Sequence, residues 1–175
     1  MKKLFLFAIG LMLSYSIQAQ SDLTIGLVMP DKELDGIKPD AYKLLQSKLE
    51  KLLTASGVSS YGGDFVMYPI VNVIDDNLIE GGIKNYFKVK IELTLNVANI
   101  TSKTLFSSES WPLFGIAERE KSDAVKNAFT QLKGNDTHFK AFIEVTKKKI
   151  CEYYESNKSA IFTKASTLAS TGEYE

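Results

Sequence analysis

The chain has 175 residues, 45% apolar and 24% charged, with 21 basic side chains balancing 21 acidic ones. That length suffices for one ordinary domain with a real core, and the charge balance gives no electrostatic reason to expect nucleic acid or an anionic membrane as a partner. The single cysteine, Cys151, cannot close an internal disulfide; it reads as a small buried apolar residue rather than a link to a second chain.

The first nineteen residues have the three parts of a signal peptide. Lys2 and Lys3 form a positive start, and Leu4 to Ile17 is an apolar run interrupted only by Gly10, Ser14 and Ser16. Ile17-Gln18-Ala19 then places a small residue before a cut that leaves Gln20 or Ser21 at the mature end. A retained anchor needs about 20 strongly apolar residues, so no membrane insertion is expected after cleavage. No Cys follows the run, so no lipid tether is expected. Without Lys2 and Lys3 the mature chain carries 19 basic and 21 acidic residues, net −2. The expected organisation is a signal peptide at 1–19, an α+β domain at 20–157 and a helical segment at 158–175, which makes the mature protein periplasmic or secreted.

Leu23 to Met29 reads as a short buried strand ended by Pro30-Asp31. Pro39 suits the first turn of a helix, whose apolar stripe is Tyr42, Leu45, Leu49, Leu52 and Leu53. Gly57 is placed to stop it. A second strand is predicted over Asp64 to Ile74, with Pro69 demanding either a sheet edge or a bulge. Asp75 to Lys84 reads as a hairpin connection. The third strand has strict period two: Phe87, Val89, Ile91, Leu93, Leu95 and Val97 alternate with Tyr86, Lys88, Lys90, Glu92, Thr94 and Asn96. Thr104 to Leu113 returns as a fourth strand. Two helices follow. The first has Ala124, Val125, Ala128, Phe129 and Leu132 as its stripe, Ser122 or Asp123 as cap and Gly134 as stop. The second is capped by Asp136 or Thr137, with Phe139, Phe142, Ile143, Thr146, Ile150, Tyr153 and Tyr154 inward. The fold class is therefore α+β, in the order β-α-β-β-β-α-α, a mainly antiparallel sheet with helices on one face and a further C-terminal helix.

No catalytic, metal or cofactor site emerges. His138 and Asp136 share a helix start, where Asp caps and His is solvated; one His and one distant Cys do not make a zinc site. Asp75, Asp76, Asn77 and Glu80 carry oxygen ligands but match no ordered calcium loop. Lys147-Lys148-Lys149 reads as a solvated helix face, and Trp111 and Phe114 flank Pro112 at a strand end, where core packing competes with a contact role. The candidate binding residues are Val66, Tyr68 and Ile70 on strand two with Tyr86, Lys88 and Lys90 on strand three. If every helix covers one side of the sheet, these must face water or a partner.

The opening strand ending Leu27 to Pro30, the helix Ala41 to Gly57 and the strand Phe65 to Ile74 resemble a small periplasmic domain shared by several envelope proteins. Ser107 to Ser110 and a later helix with Ala124 and Ala128 continue the likeness over about 130 residues. These are the TolB amino-terminal domain, the lipoprotein activators of penicillin-binding proteins and the periplasmic part of curli-secretion channels. Phe142 to Asn157 is similar to secreted proteins of Bacteroides-type bacteria. The resemblance implies binding or assembly with another envelope protein, or self-association, rather than catalysis; the alternative is an exported hydrolase with an unrecognised site. Ala165, Leu168, Ala169 and Gly172 to Tyr174 resemble the turn of a tetratricopeptide-like repeat, and the polar run Ser156 to Ser159 is expected to break or bend the helix before it.

Overall fold

The computed structural model describes residues 23–30, 36–60, 62–81 and 84–171; the signal sequence and the repeat-like turn at Gly172 to Tyr174 lie outside them. Within them the strands are β1 (Ile25–Leu27), β2 (Phe65–Ile79), β3 (Tyr86–Asn99) and β4 (Leu105–Ala117). The helices are α1 (Pro39–Ala55), α2 (Lys121–Phe129) and α3 (Thr137–Thr171). The sheet runs β1-β2-β3-β4, with β1 parallel to β2 through the α1 crossover and the other three an antiparallel meander. The fold is α+β, as the residue pattern requires.

Period two in β3 sends Val89, Ile91, Leu93, Leu95 and Val97 to one face, where each is fully buried. Against it pack Leu45, Leu49, Leu52 and Leu53 of α1, Val125, Ala128 and Phe129 of α2, and Phe139, Phe142, Ile143 and Ile150 of α3. α1 starts on Pro39 and closes with Gly57 at φ +67°, a left-handed residue that costs glycine little. Asp136 caps α3: its Oδ1 accepts from the backbone N–H of His138 at 2.9 Å and of Phe139 at 3.1 Å.

Pro69 satisfies the edge condition in a local form. β1 ends at Leu27, and Val28 N–H donates to Met67 O, so the β1 side of β2 is unpaired from there on. The missing N–H of Pro69 falls on that open side.

Several expectations need correction. β2 does not end at Ile74 but runs to Ile79, because a register shift between Val73 and Asp75 lets the ladder continue through the acidic stretch. Asp75 then lies across from Lys90 and Asn77 from Lys88, and the opposite charges of Asp75 and Lys90 in register favour the pairing despite the poor strand propensity of Asp and Asn. The shift also reverses the side-chain parity, so Asp76 turns toward the helices and forms an ion pair with Lys121. β4 likewise extends past Leu113 to Ala117.

The cap of α2 is Glu120, not Ser122 or Asp123. Ser122 lies inside the helix, buried, and its Oγ accepts from Lys38 N–H at 3.0 Å. Nor does Gly134 stop α2, which ends at Phe129, where Lys48 Nζ reaches the carbonyls of Thr130 (3.4 Å) and Leu132 (3.1 Å). The polar run Ser156 to Ser159 neither breaks nor ends α3, whose hydrogen-bonded turns pass through it; Asn157 Nδ2 donates back to Tyr153 O at 2.8 Å. Cys151 is exposed rather than buried, since it sits one step around the helix from the inward Ile150.

Candidate functional site

The side of the sheet away from the helices carries Val66, Tyr68, Ile70, Asn72 and Ile74 from β2, the even-numbered row from Lys88 to Asn96 from β3, and Ser108, Ser110, Pro112, Phe114 and Ile116 from β4. Ile70, Ile74 and Ile116 are each 51% exposed and Phe114 48%. The candidate residues fall on this face: Val66, Tyr68 and Tyr86 are half-buried, Ile70, Lys88 and Lys90 exposed. Lys90 and Lys88 lie toward the hairpin end, with Lys90 Nζ 6.0 Å from the centre of the Phe114 ring. Near the middle, Thr94 Oγ1 and Ser110 Oγ share a hydrogen bond of 2.8 Å. Asn96, between Tyr68 and Ser108 in register, is 5% exposed, and its Nδ2 is buried without a hydrogen-bond partner. The face thus has two apolar flanks and a polar centre. Trp111 and Phe114 part company: Trp111 turns into the core against Phe142, and Phe114 turns outward.

A second feature was not legible in the residue pattern. The His138 ring does not pair with Asp136; its Nε2 lies 2.6 Å from Glu109 Oε1 on β4, and the ring lies tilted beside Trp111, centre to centre 5.2 Å. Glu109 and His138 line a cleft of about 240 Å³ between β4 and α3, with Ser107, Ser108, Phe142, Val145 and Lys149. Ser107 Oγ is buried there without a hydrogen-bond partner. Among the described residues no hydrogen bond joins either serine to His138, so the cluster is not assembled as a nucleophile–base relay.

A third concavity, about 350 Å³, lies where α3 passes the end of the sheet. Tyr153, Tyr154, Ile161, Ala165 and Leu168 line it, facing Asp64 and the turn after Asn99. Burial pushes the Tyr154 hydroxyl above its ordinary range, with Asp64 and Tyr153 adding to the shift. From Lys158 onward the side chains of α3 are exposed to the last one described, apart from these contacts.

In the acidic stretch of β2, Asp75 accepts from Asn77 Nδ2 at 2.8 Å and Asp76 forms an ion pair with Lys121. Among the described residues no helix is long and apolar enough to cross a membrane.

No protein-family model and no curated protein matches the sequence. Among solved structures the chain is similar to a minor lipoprotein from Acinetobacter baumannii, at 13% identity and a TM-score of 0.41, over 78% of this chain and 95% of that one. It is also similar to a homolog of the neuraminyllactose-binding hemagglutinin from Helicobacter pylori, at 17% identity and a TM-score of 0.44, over 82% of this chain and 92% of that one.

Proposed function

We propose that this chain is a non-enzymatic, exported binding or assembly module of the bacterial cell envelope, engaging another protein through the uncovered face of its sheet. The observation that carries the reading is two strips of exposed apolar side chains on that face, Ile70 and Ile74 on β2 and Phe114 and Ile116 on β4, which the described helices leave uncovered because they pack on the other side. Scattered exposed apolar residues are ordinary; two apolar strips flanking a polar centre on one face of a sheet are how a contact surface looks. Export is supported by the Lys-apolar-Ala pattern of residues 1–19, and an assembly role by the resemblance to small periplasmic domains.

The test is retention of envelope proteins by the immobilised mature chain against Ile70→Lys and Phe114→Lys variants. Both substitutions place charge on exposed positions, so the fold should survive. Specific retention lost in both variants is the expected result. Equal retention by all three proteins would remove the sheet face as the contact surface.

A further inference from the structure

We propose that the open stretch of the β4 edge, together with the facing row of α3, binds an extended acidic segment of a partner protein as a fifth strand. This rests on the binding-module reading and names a distinct place and mode of contact.

β4 is the last strand of the sheet, so alternate residues turn their backbone N–H and C=O away from β3. Phe114 and Ile116 identify which ones. Phe114 N–H donates to Gln131 Oε1 at 3.4 Å, Gln131 Nε2 returns a hydrogen bond of 2.6 Å to Phe114 O, and Ile116 N–H donates to Asn127 Oδ1 at 3.2 Å. Side chains of α2 and the loop after it thus occupy this half of the edge. Pro112, two residues back, has no N–H to offer. Another two-residue step along an unshifted register brings Ser110 and then Ser108 to the same orientation. Among the described residues nothing bonds to their outward N–H groups. The edge is therefore closed over Pro112–Ile116 and open over Ser108–Ser110.

The open half coincides with the cleft. α3 lies alongside, and His138, Ala141, Val145 and Lys149 recur along it at helical spacing to form the opposite wall. An edge strand beside a helix is the geometry in which an extended peptide adds to a sheet, main-chain bonds giving affinity and alternate side chains reaching the groove. Val145 is 52% exposed and offers an apolar contact. Ser107, only 5% exposed, also lines the cleft, and its buried Oγ has no hydrogen-bond partner.

Charge selects the occupant. The one carboxylate lining the cleft, Glu109, is engaged by His138, whereas Lys149 forms no ion pair among the described residues. Its neighbours are committed elsewhere: Lys147 to Glu144 and Ser56 O, Lys148 to Glu152. The groove therefore presents an uncompensated cation and favours a segment bearing a carboxylate. A second copy would bring another Lys149 and no free cleft carboxylate, which argues against self-pairing here.

The test is selection from a displayed library of random linear peptides against the full mature chain, with Ser108→Pro and Lys149→Glu as parallel targets. Ser108→Pro deletes one outward N–H at an edge position that accepts proline, and Lys149→Glu is an exposed charge reversal; unfolding curves confirm both folds. The wild type should enrich strand-prone peptides carrying Asp or Glu. Affinity of the enriched peptides should fall roughly tenfold or more in each variant, about the factor carried by one lost hydrogen bond or ion contact. Lys149→Glu should also shift selection toward basic peptides, a change that mere loss of stability would not produce. Absence of enrichment, or enrichment unaffected by both variants, overturns the proposal. Dimerisation of the wild type abolished by Ser108→Pro would also overturn it and make a second copy the occupant. Retention of an envelope protein that depends on Ile70 but not on Ser108 or Lys149 would sink this inference while leaving the sheet-face reading standing.

Discussion

Replacing Gly115 by alanine probes the contact on which the closed half of the β4 edge depends. Gly115 is a core-face position of β4, opposite Val89, at the point where α2 crosses the strand. A Cβ there would collide with the carbonyl oxygen of Ala124 and lie 2.8 Å from both Ala124 C and Ala128 N. These are helix backbone atoms, and no rotamer change can move them aside. α2 would have to retreat by roughly an ångström, and the Asn127 and Gln131 bonds to the strand edge would lengthen with it. Overpacking of this kind costs about 1–3 kcal/mol, and the strained hydrogen bonds add about 1 kcal/mol. The expected loss is therefore about 3 kcal/mol, or roughly 10 °C in Tm for a domain of this size. Chemical unfolding followed by circular dichroism measures it directly. Gly134→Ala is the internal control: a Cβ there meets nothing within 4 Å, so it should be neutral or stabilise by up to about 1 kcal/mol. If Gly115→Ala unfolds within about half a kcal/mol of wild type, α2 does not approach β4 this closely and the closed edge is misplaced.

Leu49 is fully buried on α1, and Leu49→Ala should cost about 2–5 kcal/mol in the same assay; a loss below about half a kcal/mol would mean the helix faces the other way. Cys151 is exposed, so a thiol reagent should label the native chain about as fast as the denatured one, and strong native protection would contradict the placement of that helix face. Asp40 has its carboxyl held below the usual 3.8, chiefly by its hydrogen bond to Lys126, and so contributes stability above that value which is lost as pH falls through the lowered pKa. Asp40→Asn should therefore be less stable than wild type at neutral pH and converge with it in strong acid; a difference that persists below that range would refute the pairing. In a monomer, amides of Ile161 to Thr171 should exchange quickly, because this end of α3 buries little; protection matching that of Phe139 to Ile150 would show that it docks firmly on its own domain.

The parts of the fold that were legible are those where one physical signal acts alone. β3 could be read because alternation over its length has only one structural solution, and α1 because Pro39, a leucine stripe and Gly57 agree with one another. The misreadings occurred where a distant residue changed the local preference. Asp75 and Asn77 favour a turn by themselves, but the β3 ladder continues opposite them through Lys90 and Lys88 to Tyr86 and keeps them in a strand. Ser122 is a good cap by type, but Lys38 N–H, far away in sequence, uses its hydroxyl inside the helix. Residue type alone makes Cys151 a buried group, whereas helical phase puts it off the inward stripe of Phe139, Phe142, Ile143, Thr146 and Ile150.

Of the two surfaces, the sheet face followed from pattern, since a strand apolar on both sides must show one of them to something other than its own helices. The β4 edge could not be read that way, because a strand is an edge only by virtue of sheet order, which neither composition nor periodicity records. One local signal did exist. Pro112 sits within a continuous strand, and proline is tolerated there when its nitrogen faces away from the ladder. Once β4 is known to be terminal, the same residue divides its edge. On one side Gln131 and Asn127 satisfy the outward backbone groups and deter a further strand; on the other the groups of Ser108 and Ser110 point outward beside the wall of α3. An edge strand left open along its whole length is an aggregation hazard, and one closed along its whole length binds nothing by strand addition. Blocking half of it limits how long an added strand can be, which favours a short segment of a partner over open-ended association of sheets.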